Sequence, residues 1–200
     1  LYTRSYAPIK NLDRDTFFEY KSRWLVKKKK ILLIEEYLKK NANLKKKKNL
    51  IEFLINEHIV ESNIDSACKI LNLINNQDSS LYIDKFRIYC QINNKNLDIA
   101  QLHYDLLRES EYNDVFYDKK INFLLGYSDN IDNSVSDKDL LSFFLSHIVN
   151  SDFNYEPNKT TSKYIWRYLS SANLAYDSST IDHENEDQIN LIEKAVAEGS

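Results

Sequence analysis

Glycine and proline are nearly absent from this 200-residue chain, which contains two of each. A β-rich or α/β protein of this length needs more glycines for its turns, so the composition predicts an all-α protein. Both glycines, Gly126 and Gly199, follow apolar helical segments and therefore fit the C′ position at which helices end. Phosphate-binding loops, which depend on several glycines, are nearly excluded for the same reason.

Methionine and long apolar runs are also missing. Because the chain starts at Leu1 and has no methionine, we expect it to be part of a longer translation product. No apolar run is long enough for a signal peptide or a transmembrane span. The localisation is therefore open: cytoplasmic, or periplasmic if an N-terminal signal has been removed.

The motifs of common catalytic sites are absent as well. The sequence has no Gly-x-Ser-x-Gly, no His-Glu-x-x-His and no convincing carboxylate pair. None of the four histidines has a second ligand at helical spacing, and two cysteines without paired histidines do not make a zinc site. We therefore expect a protein that is not an enzyme and has no cofactor and no metal.

The two cysteines, Cys68 and Cys90, fall on consecutive predicted helices. If these helices form an antiparallel hairpin, the two residues lie within about 3 Å of the same level along the axis. A disulfide is then geometrically possible, provided that both side chains face the seam. Two buried free thiols are the other interpretation, and the unknown compartment decides between them.

Positive charge is concentrated near the N-terminus, although the formal charge of the whole chain is −3. Residues 21–48 contain twelve Lys or Arg and two Glu. The possible anion-binding patch consists of Lys27, Lys28, Lys29, Lys30, Lys45, Lys46, Lys47 and Lys48. Such a patch attracts the phosphates of RNA or of anionic lipids. Four consecutive lysines also spread around a helix, so solvated faces are the alternative interpretation.

One five-residue pattern occurs twice, at a distance of 33 residues. Residues 63–67 (Asn-Ile-Asp-Ser-Ala) are repeated as residues 96–100 (Asn-Leu-Asp-Ile-Ala). The apolar residues on both sides keep the same register, so each unit is predicted to be a helix, a polar turn and a second helix. Asn63 and Asn96 can cap the second helices, and the small Ala67 and Ala100 allow the first helix to cross closely.

The repeated unit resembles the tetratricopeptide-repeat superfamily over about residues 48–110. Ala67 and Ala100 occupy the position of the family's most typical alanine. Other positions depart from the family pattern, because Ile55 and Ile88 stand where it has a small residue. The resemblance implies stacked antiparallel helix pairs, each burying its apolar faces against its neighbours.

We therefore predict one all-α array of stacked antiparallel helix pairs, a short and irregular solenoid similar to tetratricopeptide repeats. Its segments are an extended leader (1–12), basic helices (13–48), two repeat units (49–110), a degenerate helix pair (111–150) and C-terminal helices (160–198). Outside the repeat, a first helix capped by Asp13 or Asp15 is expected through Phe17, Phe18 and Tyr20. Further helices are expected at about 24–40, 112–125, 139–149 and 161–176, with a last helix from 182 or 184 to 198.

The predicted function is a non-catalytic scaffold or adaptor that binds an unidentified protein. In such an array the first helix of each unit lines the binding surface, and Asn56, Lys85 and Tyr89 are the predicted contacts. Two alternatives stay open. One is binding of RNA or of an anionic membrane through the lysines, and the other is a helical accessory region of a larger enzyme.

Overall fold

The computed structural model describes residues 10–41, 47–74, 79–110, 112–174 and 186–198. All regular secondary structure within these ranges is helical, which confirms the predicted all-α class. The helices are α1 (Arg14–Lys27), α2 (Ile31–Lys40), α3 (Lys48–Val60), α4 (Ile64–Ile70, continued by a 3-10 turn Leu71–Leu73), α5 (Leu81–Asn93), α6 (Leu97–Glu109), α7 (Val115–Leu124), α8 (Leu140–Val149), α9 (Lys163–Ser171) and α10 (Glu186–Glu198). Over the same ranges, none of these helices is both long enough and apolar enough to cross a bilayer.

The N-terminal region forms two helices, and the break between them lies later in the chain than predicted. Asp13 caps α1 by accepting hydrogen bonds from the backbone N–H groups of Asp15 and Thr16 at 3.0 and 2.9 Å. The predicted continuous helix over 24–40 is wrong, because Lys29 takes a left-handed conformation (φ 46°) and ends α1. The turn lets α2 pack back on α1, and the two helices share a stack of Phe18 on Tyr37 with ring centres 5.7 Å apart.

The turns between the helices of the two repeat units have the same backbone geometry. Ser62 and Lys95, which are 33 residues apart, both adopt left-handed conformations, with φ of 54° and 61°. The N–H of the next residue donates to the carbonyl five residues back at 2.9 Å in each turn. This is the Schellman motif that closes a helix C-terminus. Bonds of the same kind also close α1, α7 and α9, so the two copies of the pattern share a turn that is common in this chain.

Capping by the two repeated asparagines differs. Asn63 caps α4 as predicted, since its side chain accepts from the N–H of Ser66 at 3.2 Å. Asn96 stands at the N-cap position of α6 but makes no side-chain capping bond. Its amide donates instead to Gln91 at 3.2 Å, back across the turn.

α3 lies at the centre of the packing. Nine of its thirteen residues are buried, and they include the polar Glu57 and His58. α3 contacts α1, α2, α4 and α5, and also α8 and α9 from much later in the chain. In a regular open solenoid each repeat contacts only its neighbours. The contacts of α3 with α8 and α9 are not expected in such a solenoid.

The C-terminal helices are capped locally and fold back on α3. Asp139 caps α8 by accepting from Ser142 N–H at 2.7 Å, which confirms the predicted start of that helix. Gly126, with φ 79°, follows the end of α7 as predicted, whereas Gly199 lies outside the described residues. α9 ends earlier than predicted because Asn173 turns left-handed at φ 54°. α10 lies beside α9.

Candidate protein-binding surface

α6 carries an exposed apolar stripe on the side opposite its buried face. Ala100, Tyr104 and Leu107 are buried, and α6 packs against α5. Half a turn away, the side chains of Ile99, Leu102 and Leu106 are 46%, 57% and 55% exposed, respectively. The latter three lie at positions i, i+3 and i+7, which share one face of a helix. We call these three residues the α6 stripe.

The α6 stripe is not a requirement of the repeat framework. The residues that occupy the same register in α4, 33 positions earlier, are Ser66 and Lys69 for Ile99 and Leu102. The first repeat therefore has polar residues at two of three positions where the second has exposed branched aliphatic residues. Since the two units otherwise share their turns and their buried alanines, the difference is specific to α6.

A row of carboxylates runs along one side of the α6 stripe. Asp98, Asp105 and Glu109 are all exposed and lie on adjacent positions of the helix surface, within about 40° of one another. Within the described part of the chain, none of the three forms an ion pair. Asp105 accepts hydrogen bonds from the Gln101 amide at 3.0 and 2.9 Å, which hold its carboxylate in place. We call these three residues the acidic row.

The groups on the other sides of α6 do not neutralise the acidic row. His103 follows the α6 stripe on the side away from the row, and burial together with Arg87 lowers its pKa. The imidazole is therefore neutral at pH 7. The guanidinium of Arg108 lies over the ring of Tyr104, 5.8 Å from its centre. The surface of α6 thus combines an apolar stripe with negative charge along one side.

Two of the three predicted contacts on the first helices, Lys85 and Tyr89, are buried, so the prediction is wrong for them, whereas Asn56 is partly exposed. Lys85 is buried, donates to Asp114 and lies 5.4 and 5.0 Å from the centres of two tyrosine rings. Tyr89 is also buried and meets Phe144 edge to face, at 5.0 Å between ring centres. Asn56 accepts a hydrogen bond from a tyrosine hydroxyl of α5. These polar groups hold helices of this chain together.

The lysines of the possible anion-binding patch are placed in different environments. Lys27, Lys28, Lys29 and Lys30 are exposed at the end of α1 and in the turn that follows. Lys47 is buried at the start of α3, whereas Lys48 is exposed. Lys45 and Lys46 lie outside the described residues. Among the described lysines of the predicted patch, 27–30 and 48 are exposed, and Lys47 is not available to an anion.

Cys68 of α4 and Cys90 of α5 form a disulfide, with their Cα atoms 5.6 Å apart. The bond joins the second helix of one repeat unit to the first helix of the next. Beside it is a shallow cavity of about 440 Å³, also lined by Lys69, Arg87 and His103. The predicted antiparallel hairpin brings the two cysteines to nearly the same level along the helix axes, and the structure places them close enough to bond.

Removing the disulfide is expected to lower the free energy of unfolding by about 3 kcal/mol. The disulfide joins residues 22 apart in sequence and so reduces the conformational entropy of the unfolded chain. The variant carrying Cys68→Ser and Cys90→Ser is compared with the oxidised protein by urea denaturation. The reduced wild-type chain is the matched control and should unfold at the same urea concentration as the double variant. Two free thiols titrated in the protein isolated without reductant would contradict the cross-link.

His58 and His147 contact side chains of other helices. His58 Nε2 lies 3.4 Å from Glu35 on α2, and His147 Nδ1 lies 2.7 Å from the hydroxyl of Tyr168 on α9. Burial lowers the pKa of His147. No group of three or more His, Cys, Asp or Glu residues suited to a metal occurs among the described residues, and His183 is not one of them.

The α6 stripe was not among the predicted binding residues, although the sequence of α6 contains a signal for it. The apolar residues of α6 occupy two faces, one at 100, 104 and 107 and one at 99, 102 and 106. A helix that is apolar on all sides is expected to be buried. α3 fits this expectation, whereas α6 leaves its second apolar face exposed.

Three comparisons with known proteins returned no similarity. No protein-family model matches this chain, no curated protein matches it, and no solved structure matches it.

Proposed function

We propose that this chain is a non-catalytic helical scaffold or adaptor that binds another protein through the α6 stripe. The observation that carries the proposal is the exposure of Ile99, Leu102 and Leu106 on one face of a helix whose opposite face is buried. Contiguous exposed apolar patches on a protein surface are often sites of interaction with another protein.

The spacing of the α6 stripe supports recognition of a helical or groove-shaped partner surface. Side chains at i, i+3 and i+7 are the anchors used when an amphipathic helix contacts an apolar groove. The comparison with α4 gives further support. Because Ser66 and Lys69 stand at the equivalent positions of α4, a helix pair of this kind does not need apolar residues there.

The proposed frame for this surface is a short array similar to tetratricopeptide repeats. The pairs α3–α4 and α5–α6 are its two units, and the 33-residue spacing of their turns at Ser62 and Lys95 supports the assignment. In this frame α6 is the second helix of the second unit. Its outer face is the place where a following unit or a partner packs in stacked arrays.

Site-specific photocrosslinking in the cells that produce the protein tests this proposal. A photoreactive phenylalanine analogue replaces Leu102 in the full chain, and adducts are identified by mass spectrometry. A defined protein adduct is expected at this position. Tyr20, which is 62% exposed on α1, is the matched control because the analogue resembles tyrosine there.

The outcome depends on the difference between the two positions. Adducts to one protein at position 102 and not at position 20 support the proposal. In the variant Leu106→Asp the adduct is expected to disappear, while the circular dichroism spectrum stays the same. The same set of adducts at both positions, or none at position 102, contradicts a partner on α6.

A second candidate function is contact with an anionic membrane surface. It is favoured by Leu32, whose side chain is 79% exposed directly after the exposed lysines 27–30. A projecting apolar side chain beside basic residues suits the interface of a bilayer with negatively charged headgroups.

Flotation with vesicles tests the membrane candidate. Binding to phosphatidylserine vesicles is expected to fall when Lys27, Lys28, Lys29 and Lys30 become Gln, and also in Leu32→Ser. The control variant replaces the lysines at 95, 119, 159 and 163, which are also exposed, by Gln. Equal binding to neutral phosphatidylcholine, or no effect of salt, contradicts this candidate.

A further inference from the structure

The acidic row gives the α6 stripe a preferred charge in its partner. Asp98, Asp105 and Glu109 lie along one side of the stripe, and the other side carries the neutral His103. Exposed charges at the rim of an interface act mainly on the choice of partner and on the association rate. A partner with positive charge along the matching side is therefore selected over one with negative charge.

We propose that the α6 surface binds a basic amphipathic helix, with its leucine-like side chains on the α6 stripe and its lysines or arginines on the acidic row. This inference rests on the proposed function, and it adds the chemistry of the partner. The charge complementarity is the argument for this occupant.

The dimensions of α6 fix the size of the ligand. The α6 stripe extends over eight residues, about 10 Å along the axis, and the acidic row over twelve residues, about 16 Å. A helix of about three turns or more, with apolar residues at i, i+3 or i+4 and i+7, covers both. Its basic residues need the spacing of the carboxylates, on one side of its apolar face.

The cations of this chain near α6 leave the acidic row accessible. Arg108 is engaged over the ring of Tyr104, as described above. Lys85 is buried in its ion pair with Asp114 and does not reach the outer face of α6. The amide of Gln101 orients Asp105 but does not remove its charge.

Three synthetic 18-residue peptides test the inference with the full chain. The first has an apolar leucine face flanked by lysines, the second replaces every lysine by glutamate, and the third is a scrambled form of the first. Affinities are measured by fluorescence anisotropy at low and at physiological salt. The first peptide is expected to bind about tenfold more tightly than the second at low salt, and the difference should shrink with added salt.

Variants of the chain separate charge from apolar contact. In Asp98→Asn/Asp105→Asn/Glu109→Gln the preference for the basic peptide is expected to fall below about threefold. The matched control, Asp129→Asn/Asp152→Asn/Glu156→Gln, removes three exposed carboxylates elsewhere and should keep the preference. Ile99→Ser/Leu102→Lys, which installs the residues of α4, should abolish binding of the first peptide.

The results distinguish this inference from the proposed function. Equal binding of the basic and acidic peptides, or binding of the scrambled peptide, overturns the basic helix as the occupant. If no peptide binds but the crosslink at position 102 is still observed, the basic helix is also overturned as the occupant. The proposed function is not affected by that result. Sedimentation that shows self-association of the chain, lost in Leu102→Lys, assigns the surface to a second copy and also overturns the inference.

Discussion

Glu57→Gln is expected to lower the free energy of unfolding by about 3–5 kcal/mol. The carboxylate of Glu57 accepts two hydrogen bonds of 2.9 Å from the guanidinium of Arg167, which joins α3 to α9. The Glu57 side chain is 2% exposed and that of Arg167 is 14% exposed. With glutamine at position 57, the charge of Arg167 is largely shielded from water and has no opposite charge beside it. This uncompensated charge is the main cause of the expected loss of stability.

Urea denaturation of Glu57→Gln, Arg167→Met and the double variant measures the effect. The double variant should be less destabilised than the sum of the two single variants, because it leaves no uncompensated buried charge. Glu19→Gln is the control, since the pair of Glu19 with Arg23 is exposed and 3.6 Å long, and should change stability by less than about 0.5 kcal/mol. Additive effects at 57 and 167 would contradict direct coupling.

Phe143→Ala is expected to cost about 3–5 kcal/mol through the cavity that it leaves in the core. Phe143 on α8 is fully buried. Its ring centre lies 5.4 Å from Phe153, 4.8 Å from Tyr155 and 6.1 Å from Tyr168, each in an edge-to-face arrangement. The ring therefore packs α9 against α8, and it also packs the loop between these two helices against α8.

Thermal and urea unfolding of Phe143→Ala are compared with those of Phe143→Leu. Leucine fills most of the space but loses the ring contacts, so its cost should be about half of that of alanine. Tyr127→Ala, at an exposed position, is the surface control and should have an effect of about 0.5 kcal/mol or less. A cost for Phe143→Ala as small as that of the control would mean that α8 is not packed as described.

The parts of the fold that were predictable from the sequence are those set by neighbours in the chain. The cap at Asn63, the start of α8 at Asp139 and the end of α7 at Gly126 depend on hydrogen bonds between residues at most five positions apart. The repeat gave the same kind of information for the turns. In each case one side chain or one left-handed residue determines where a helix begins or ends.

The break after α1 was not predictable in the same way. Lysine is a good helix former, so residues 27–30 show no local signal that Lys29 turns left-handed. The turn is stabilised by what it allows, namely the packing of α2 on α1 around Phe18 and Tyr37. Tertiary packing of this kind overrides helix propensity.

The surface that we propose as the binding site could be located only with the packing known. Asn56, Lys85 and Tyr89 have residue types and positions suited to an exposed first helix, but α7 and α8 cover that face and turn Lys85 and Tyr89 inward. Ile99, Leu102 and Leu106 would be ordinary core residues if a further helix lay on them. Sequence periodicity identifies apolar faces and does not show which of two faces is left uncovered.

The contact between α3 and α9 has a consequence for synthesis on the ribosome. Glu57 and Arg167 are 110 residues apart in sequence. The face of α3 that contacts α9 is therefore covered only after α9 has left the exit tunnel. At about 5–20 residues per second, α3 is translated at least about 5 s before the helix that covers it. A nascent chain of this length exposes apolar surface during that interval, when chaperones bind. Slow translation between α4 and α9 should therefore increase aggregation more than slow translation after α9.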